Sequence, residues 1–185
     1  MTQPRYLVAV LATMVSYGVM NFMMVSTPLA MHAHDLAFHH VASVIKWHIL
    51  GMYVPAFFTG HLIHRCGMLN IMLIGALVML ACAFVNLSHL DEARYWVALC
   101  LLGIGWNFFF AGAATLLAHT YRPEEKVLAQ GFNDLLVFGT MTLTSASSGF
   151  IVSALGWQAL NYAVMLFIVV TLWCIGWLKL RTAMS

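Results

Sequence analysis

The chain has 185 residues, of which 63% are hydrophobic and only 8% charged, with a formal net charge of +2. A soluble domain carries about 25% charged residues, so the charge here is too sparse to cover a water-soluble globule, and the composition predicts an integral membrane protein. The small net charge and the lack of a basic tract argue against a nucleic-acid partner.

A helix needs about 20 apolar residues to cross the hydrocarbon core of a bilayer. Six stretches qualify, over roughly 6–28, 42–63, 69–87, 95–119, 130–154 and 157–180. Runs this long predict helices and not the short alternating strands of a barrel. The expected fold is an all-α membrane protein, with residues 1–185 forming one bundle of six transmembrane helices.

The first span carries Tyr17 and Asn21, four residues apart and so on one face. It is too long for the apolar region of a signal peptide, and no small-residue cleavage site follows it. The loop after it, "MHAHDLAFHH", holds His32, His34, Asp35, His39 and His40. Imidazole and carboxylate are ligands for zinc, copper or nickel. The spacing fits no strong metal motif, so these histidines are minor metal candidates. No cofactor and no enzymatic activity are expected.

The second span places His48, Met52, Pro55 and Thr59 near one face. An ionisable group inside a span is a functional candidate, and imidazole titrates near neutral pH, so His48 is expected to face a cavity as a proton carrier. The plainer alternative is a hydrated histidine at the interface. The span ends in "GHLIHRCG", residues 60–67. The third and sixth spans are almost free of polar groups and are expected to sit in lipid all round.

The fourth span places Asn107 after Trp106, with Phe110 one turn on from Trp106; Gly103 and Gly105 before them read as packing glycines. The fifth carries Asn133, Thr140, Thr144 and Ser148 at helical spacing, beside Asp134. Its hydroxyls either bond their own helix backbone or face a polar path. Asp134 either sits on the positive end of its helix dipole or pairs with Arg65. Unpaired polar groups in hydrocarbon are costly, so spans one, two, four and five are expected to line something polar, with three and six behind them. The cavity candidates are Tyr17, Asn21, His48, Trp106, Asn107, Phe110, Thr140 and Thr144.

Orientation follows from the basic residues. Arg5, Arg65, Arg122, Lys126, Lys179 and Arg181 fall on one side, and Lys46 and Arg94 on the other. The six-residue side is expected to be cytoplasmic, with both termini inside. Four cysteines, Cys66, Cys82, Cys100 and Cys174, show no C-x-x-C pair and predict no disulfide framework.

The stretch "GHLIHRCG" resembles the loop motif G-x-L-x-D-R-x-G-R-[RK] of the major facilitator superfamily. Gly60, Leu62, Arg65 and Gly67 match at the right spacing, while His64 stands in place of the Asp, and Met68 and Leu69 in place of the basic pair. "GFIVSALGW" resembles the end of a fifth or eleventh helix and its tight turn, and "YRPEEKVLAQGFND" the loop before that helix. The resemblance implies the C-terminal six-helix half of a transporter, with the first, second, fourth and fifth helices lining a cavity. It implies a small solute moved by alternating access, a second six-helix bundle as partner (a separate N-terminal half or an identical copy), and a bacterial inner-membrane location. Gly60 and Gly67 would permit the turn, and Arg65 with Asp134 would help close the cytoplasmic side. The alternative is a non-transporting fragment or assembly module of a split transporter.

Overall fold

In a computed structural model, residues 3–33, 37–88 and 92–183 are described. They form α1 (Pro4–Ala33), α2 (Phe38–Cys66), α3 (Met68–Leu87), α4 (Glu92–Ala118) and α5 (Lys126–Ala183), with a short 3-10 turn at Pro123–Glu125. Among the described residues there is no strand, and all five helices are long and apolar enough to cross a membrane. The helices overrun the apolar windows because polar residues at their ends, such as His32 or Arg65, continue the backbone ladder without adding hydrophobicity.

At 1.5 Å per residue α5 would extend about 87 Å, nearly three hydrocarbon thicknesses. It is interrupted at Gly156, whose φ of 82° and ψ of 168° are not helical. The chain reverses there. Near the start of α5, the Tyr6 hydroxyl donates to the carbonyl of Ala129 at 3.2 Å. At its far end, Leu178, Arg181 and Thr182 lie against Gln3, Pro4 and Arg5. Both ends of α5 therefore sit beside the first turns of α1, and segments 126–155 and 157–183 run antiparallel. The α2–α3 turn is as tight. Gly67 alone separates the two helices, at φ 84° and ψ 145°, with its N–H donated to Ile63 at 2.9 Å. Only glycine occupies this backbone region at little cost.

Helix α4 is the hub, packed on α1, α2 and α3, while α5 packs on α1 and α3. Without a hydrophobic drive between helices in lipid, close approach of backbones over small residues holds such bundles together. A Cβ added at Gly75 of α3 would meet the Phe109 nitrogen at 2.3 Å, and one at Gly103 of α4 would meet the His48 carbonyl at 2.4 Å. The expectation that spans three and six sit in lipid all round is therefore corrected, the sixth burying Leu160, Val164, Ile168, Thr171 and Ile175. One stripe of α3, including Met72, Ala76, Met79 and Ala83, is buried. Apolar composition could not reveal this, because lipid and a glycine-rich helix face select the same side chains. Helix α2 and segment 126–155 stay the most open, exposing Tyr53, Phe57 and Phe58 on one and Leu135, Phe138 and Leu143 on the other.

Candidate functional site

A polar cavity lies between α1, α4 and α5 and has a volume of about 320 Å³. Thr13 and Tyr17 reach it from α1, Phe110, Ala114 and Leu117 from α4, and Gln130, Asn133, Asp134, Val137 and Phe138 from α5. Helical spacing sets each group: Thr13 and Tyr17 are four apart, Phe110 and Ala114 four apart, and Gln130, Asn133 and Val137 follow one face.

One wall is aromatic. The rings of Trp106 and Phe110 stack with centroids 5.2 Å apart and planes 10° from parallel. Tyr17 stands edge-on to both, at 5.2 Å from Trp106 and 4.8 Å from Phe110. The Trp106 indole nitrogen is buried and has no hydrogen-bond partner. The other wall is polar. The Thr13 hydroxyl lies 2.6 Å from Asn133 Oδ1, and Asn133 Nδ2 donates to Asp134 Oδ1 at 3.3 Å. Asn133 and Thr13 are buried, whereas Asp134 is exposed on the rim. The Tyr17 and Phe110 rings line the cavity opposite amides, a hydroxyl and a carboxylate, with Trp106 stacked on Phe110 outside the lining, and such a space can hold a flat solute by its face and orient it by its edges.

The structure thus brings Tyr17, Trp106 and Phe110 together and puts Asp134 beside them. The remaining candidates go elsewhere. Asn21 spans the α1–α5 contact, with Nδ2 2.9 Å from the Met141 carbonyl and 3.0 and 2.7 Å from the Thr144 and Ser145 hydroxyls. Thr140 and Thr144 line a second, almost wholly apolar groove of about 350 Å³ between α1 and the two segments of α5. Their hydroxyls donate to the Leu136 and Met141 carbonyls of their own helix. Thr142, Ser147, Ser148 and Ser153 also bond their own helix.

His48 and Asn107 lie in the α2–α4 seam. His48 is fully buried, its Nδ1 2.9 Å from the Leu99 carbonyl and its Nε2 without a partner. It lines neither of the two cavities described above. Asn107 donates to the Met52 carbonyl at 2.9 Å and accepts from the Thr59 hydroxyl at 2.5 Å. Helix α2 runs unbroken through Pro55, and the Thr59 hydroxyl also lies 2.8 Å from the Pro55 carbonyl.

Arg65 and Asp134 are both exposed, and no hydrogen bond or ion pair joins them among the described residues. Gly67 forms the turn, but Gly60 does not. It lies inside α2 with open space where a Cβ would stand. At the opposite end, His32 is exposed, the rings of His39 and His40 are 3.9 Å apart, and His34 lies outside the described residues. Among the described residues no three histidine, cysteine or acidic side chains form a metal-binding group.

Sequence reasoning left Thr13, Gln130 and Asn133 out of the site. The signal that finds them is register: Thr13 is one turn from Tyr17, Gln130 one turn from Asp134, and Asn133 one turn from Gln130.

The riboflavin transporter RfnT of Brucella anthropi is 39% identical over 161 residues, which is 87% of this chain and 40% of that protein. Two uncharacterized MFS-type transporters of Bacillus subtilis, YddS and YdeG, are 29% identical over 161 residues and 31% over 166, covering 84% and 85% of this chain. They are matched over 37% and 38% of their own lengths, so the chain spans well under half of each of these curated relatives. The family profile described as Major Facilitator Superfamily matches residues 8–184, with a bundle of long apolar helices beneath it, and the chain belongs to that superfamily as a multi-pass membrane protein.

Proposed function

We propose that this chain is a six-span bundle, with both termini cytoplasmic, that forms one half of a secondary transporter of a bacterial inner membrane. It moves a small solute by alternating access against a second six-helix bundle and catalyses no chemical reaction. The six spans are α1 to α4 and the two antiparallel segments of α5. The open faces of α2 and of segment 126–155, with their large exposed side chains, are the faces offered to that second bundle. A site at a repeat interface needs both repeats, which supports a partner bundle, either a separate half or an identical copy.

The observation that carries the reading is the cavity where Tyr17 and Phe110, with Trp106 stacked on Phe110, face Thr13, Gln130, Asn133 and Asp134. It suits a planar, ring-bearing solute with polar edges. A relative named as a riboflavin transporter supports a flavin as the first solute to test. Proton coupling is proposed to run through Asp134 on the cavity rim. His48 is bonded within the α2–α4 seam and could serve only if that seam opened. Arg65 and Asp134 are proposed to meet charges of the facing bundle when the cytoplasmic side closes.

The test is uptake of labelled riboflavin by a bacterium that cannot make it, expressing the chain alone and together with the N-terminal half of a full-length relative. Uptake with the second half present, and its loss of pH-gradient dependence in Asp134→Asn, are expected. If the assembled pair moves no flavin and no other planar solute, the proposal fails, and the non-transporting assembly module takes its place.

A further inference from the structure

A second polar notch lies far from the solute cavity, where the chain's two ends meet. It has a volume of about 340 Å³ and is lined by Gln3, Pro4, Arg5, Leu178, Arg181 and Thr182. Among the described residues two guanidinium groups share it and no carboxylate side chain lines it. The floor is apolar, since Leu178 is buried. Beside the notch Arg181 lies over the Trp177 ring, 5.4 Å from its centroid. Trp177 and Leu180 are exposed on the same end of α5.

Each of these features has a physical reading. The notch falls at the end of two membrane-crossing segments, the level of the lipid headgroups. Tryptophan is favoured there because its ring is apolar and its N–H polar. Two like charges side by side repel unless an anion lies between them. A guanidinium presents parallel N–H donors that match two oxygens of a phosphate, and it does so better than an ammonium. Basic pockets between helix ends at the cytoplasmic surface recognise anionic headgroups.

We propose that this notch binds the phosphodiester headgroup of an anionic phospholipid, held between Arg5 and Arg181, with the acyl chains running down the exposed apolar side of segment 157–183. The site requires only that the chain is embedded in a bilayer. It is independent of the identity of the transported solute.

Native mass spectrometry of the full chain, released from detergent in the presence of phosphatidylglycerol or phosphatidylcholine, tests this directly. Phosphatidylglycerol should be retained and phosphatidylcholine lost. The double variant Arg5→Gln/Arg181→Gln should bind phosphatidylglycerol about thirtyfold more weakly, as expected for removing two interfacial charges. Arg122→Gln/Lys126→Gln, which removes the same charge elsewhere, should bind as the parent does. Arg5→Lys/Arg181→Lys keeps the charge, guards against misfolding of the neutral variant, and should fall between the two. Unchanged binding by the Gln variant overturns the proposal. So does equal weakening in the Arg122/Lys126 control, which would mean diffuse surface charge. Displacement by inorganic phosphate at equal concentration would assign the notch to free phosphate, and overturns it too.

Discussion

Asn107 and Tyr17 show how differently a polar group in a membrane helix can be used. Asn107 spends both ends of its amide on α2, donating to Met52 and accepting from Thr59. Interhelical hydrogen bonds of this kind contribute about 0.6 kcal/mol on average and up to about 1.7. Asn107→Leu is therefore expected to lower the thermal midpoint in detergent by a stability loss of about 1 kcal/mol, while solute preference among planar molecules stays as it was. A changed preference would return Asn107 to the solute path. Tyr17 instead holds its ring edge-on to two others at the cavity wall. Each aromatic pair contributes about 0.5–1.5 kcal/mol, so if the proposed flavin is the solute, Tyr17→Ala should weaken its binding by roughly tenfold or more. Quenching of tryptophan fluorescence by the flavin reads this directly, and an unchanged dissociation constant would separate the aromatic wall from recognition.

Among the elements, the two tight reversals rest on single glycines. Gly67 and Gly156 adopt φ near 83° with extended ψ, a region that costs other residues of order 1–3 kcal/mol. Gly67→Ala and Gly156→Ala should each depress the thermal midpoint. Gly60→Ala and Gly139→Ala lie within helices with open space at the Cβ position, and should match or exceed the parent, because alanine is the better helix former. Equal effects at all four positions would mean that the turn geometry is not what these glycines provide. The α3–α4 seam makes the complementary point. Gly75 is required by the approach of Phe109 and not by backbone conformation, and nothing in the local sequence distinguishes that need from a glycine exposed to lipid.

For the whole molecule, the proposed orientation turns on Arg65, Cys66 and the basic ends of α1 and α5. Cys66 is exposed at the end of α2, whereas Cys82 is buried and Cys100 and Cys174 are partly buried. A membrane-impermeant maleimide should label Cys66 in inverted vesicles and not in intact cells, and Cys66→Ser should remove that signal. Labelling from outside in intact cells would reverse the bundle. The same whole-molecule view explains why Arg94 behaves unlike the other basic residues. It is buried at the opposite end, donates to the Ser88 carbonyl and lies 4.9 Å over the Tyr95 ring, so it helps close the α3–α4 end and leaves Lys46 as the main exposed basic charge there.

By itself the sequence determined the class, the apolar runs and the positions of their breaks. Lipid requires every backbone group to be bonded within its own helix, so hydrophobicity and glycine placement are enough to read these features. It also supplied Tyr17, Trp106, Phe110 and Asp134 as candidates. Only the tertiary structure decided which polar groups share a space. An asparagine that bonds a neighbouring helix, a histidine in a seam and a threonine bonded to its own carbonyl all look alike along one helix. Their roles are set by which helix lies opposite, and that depends on backbone approaches such as Gly75 to Phe109 and Gly103 to His48. The α2–α4 approach puts His48 and Asn107 into a helix contact, while the packing of α1 against α5 and α4 puts Thr140 and Thr144 into an apolar groove and Thr13, Gln130 and Asn133 into the cavity.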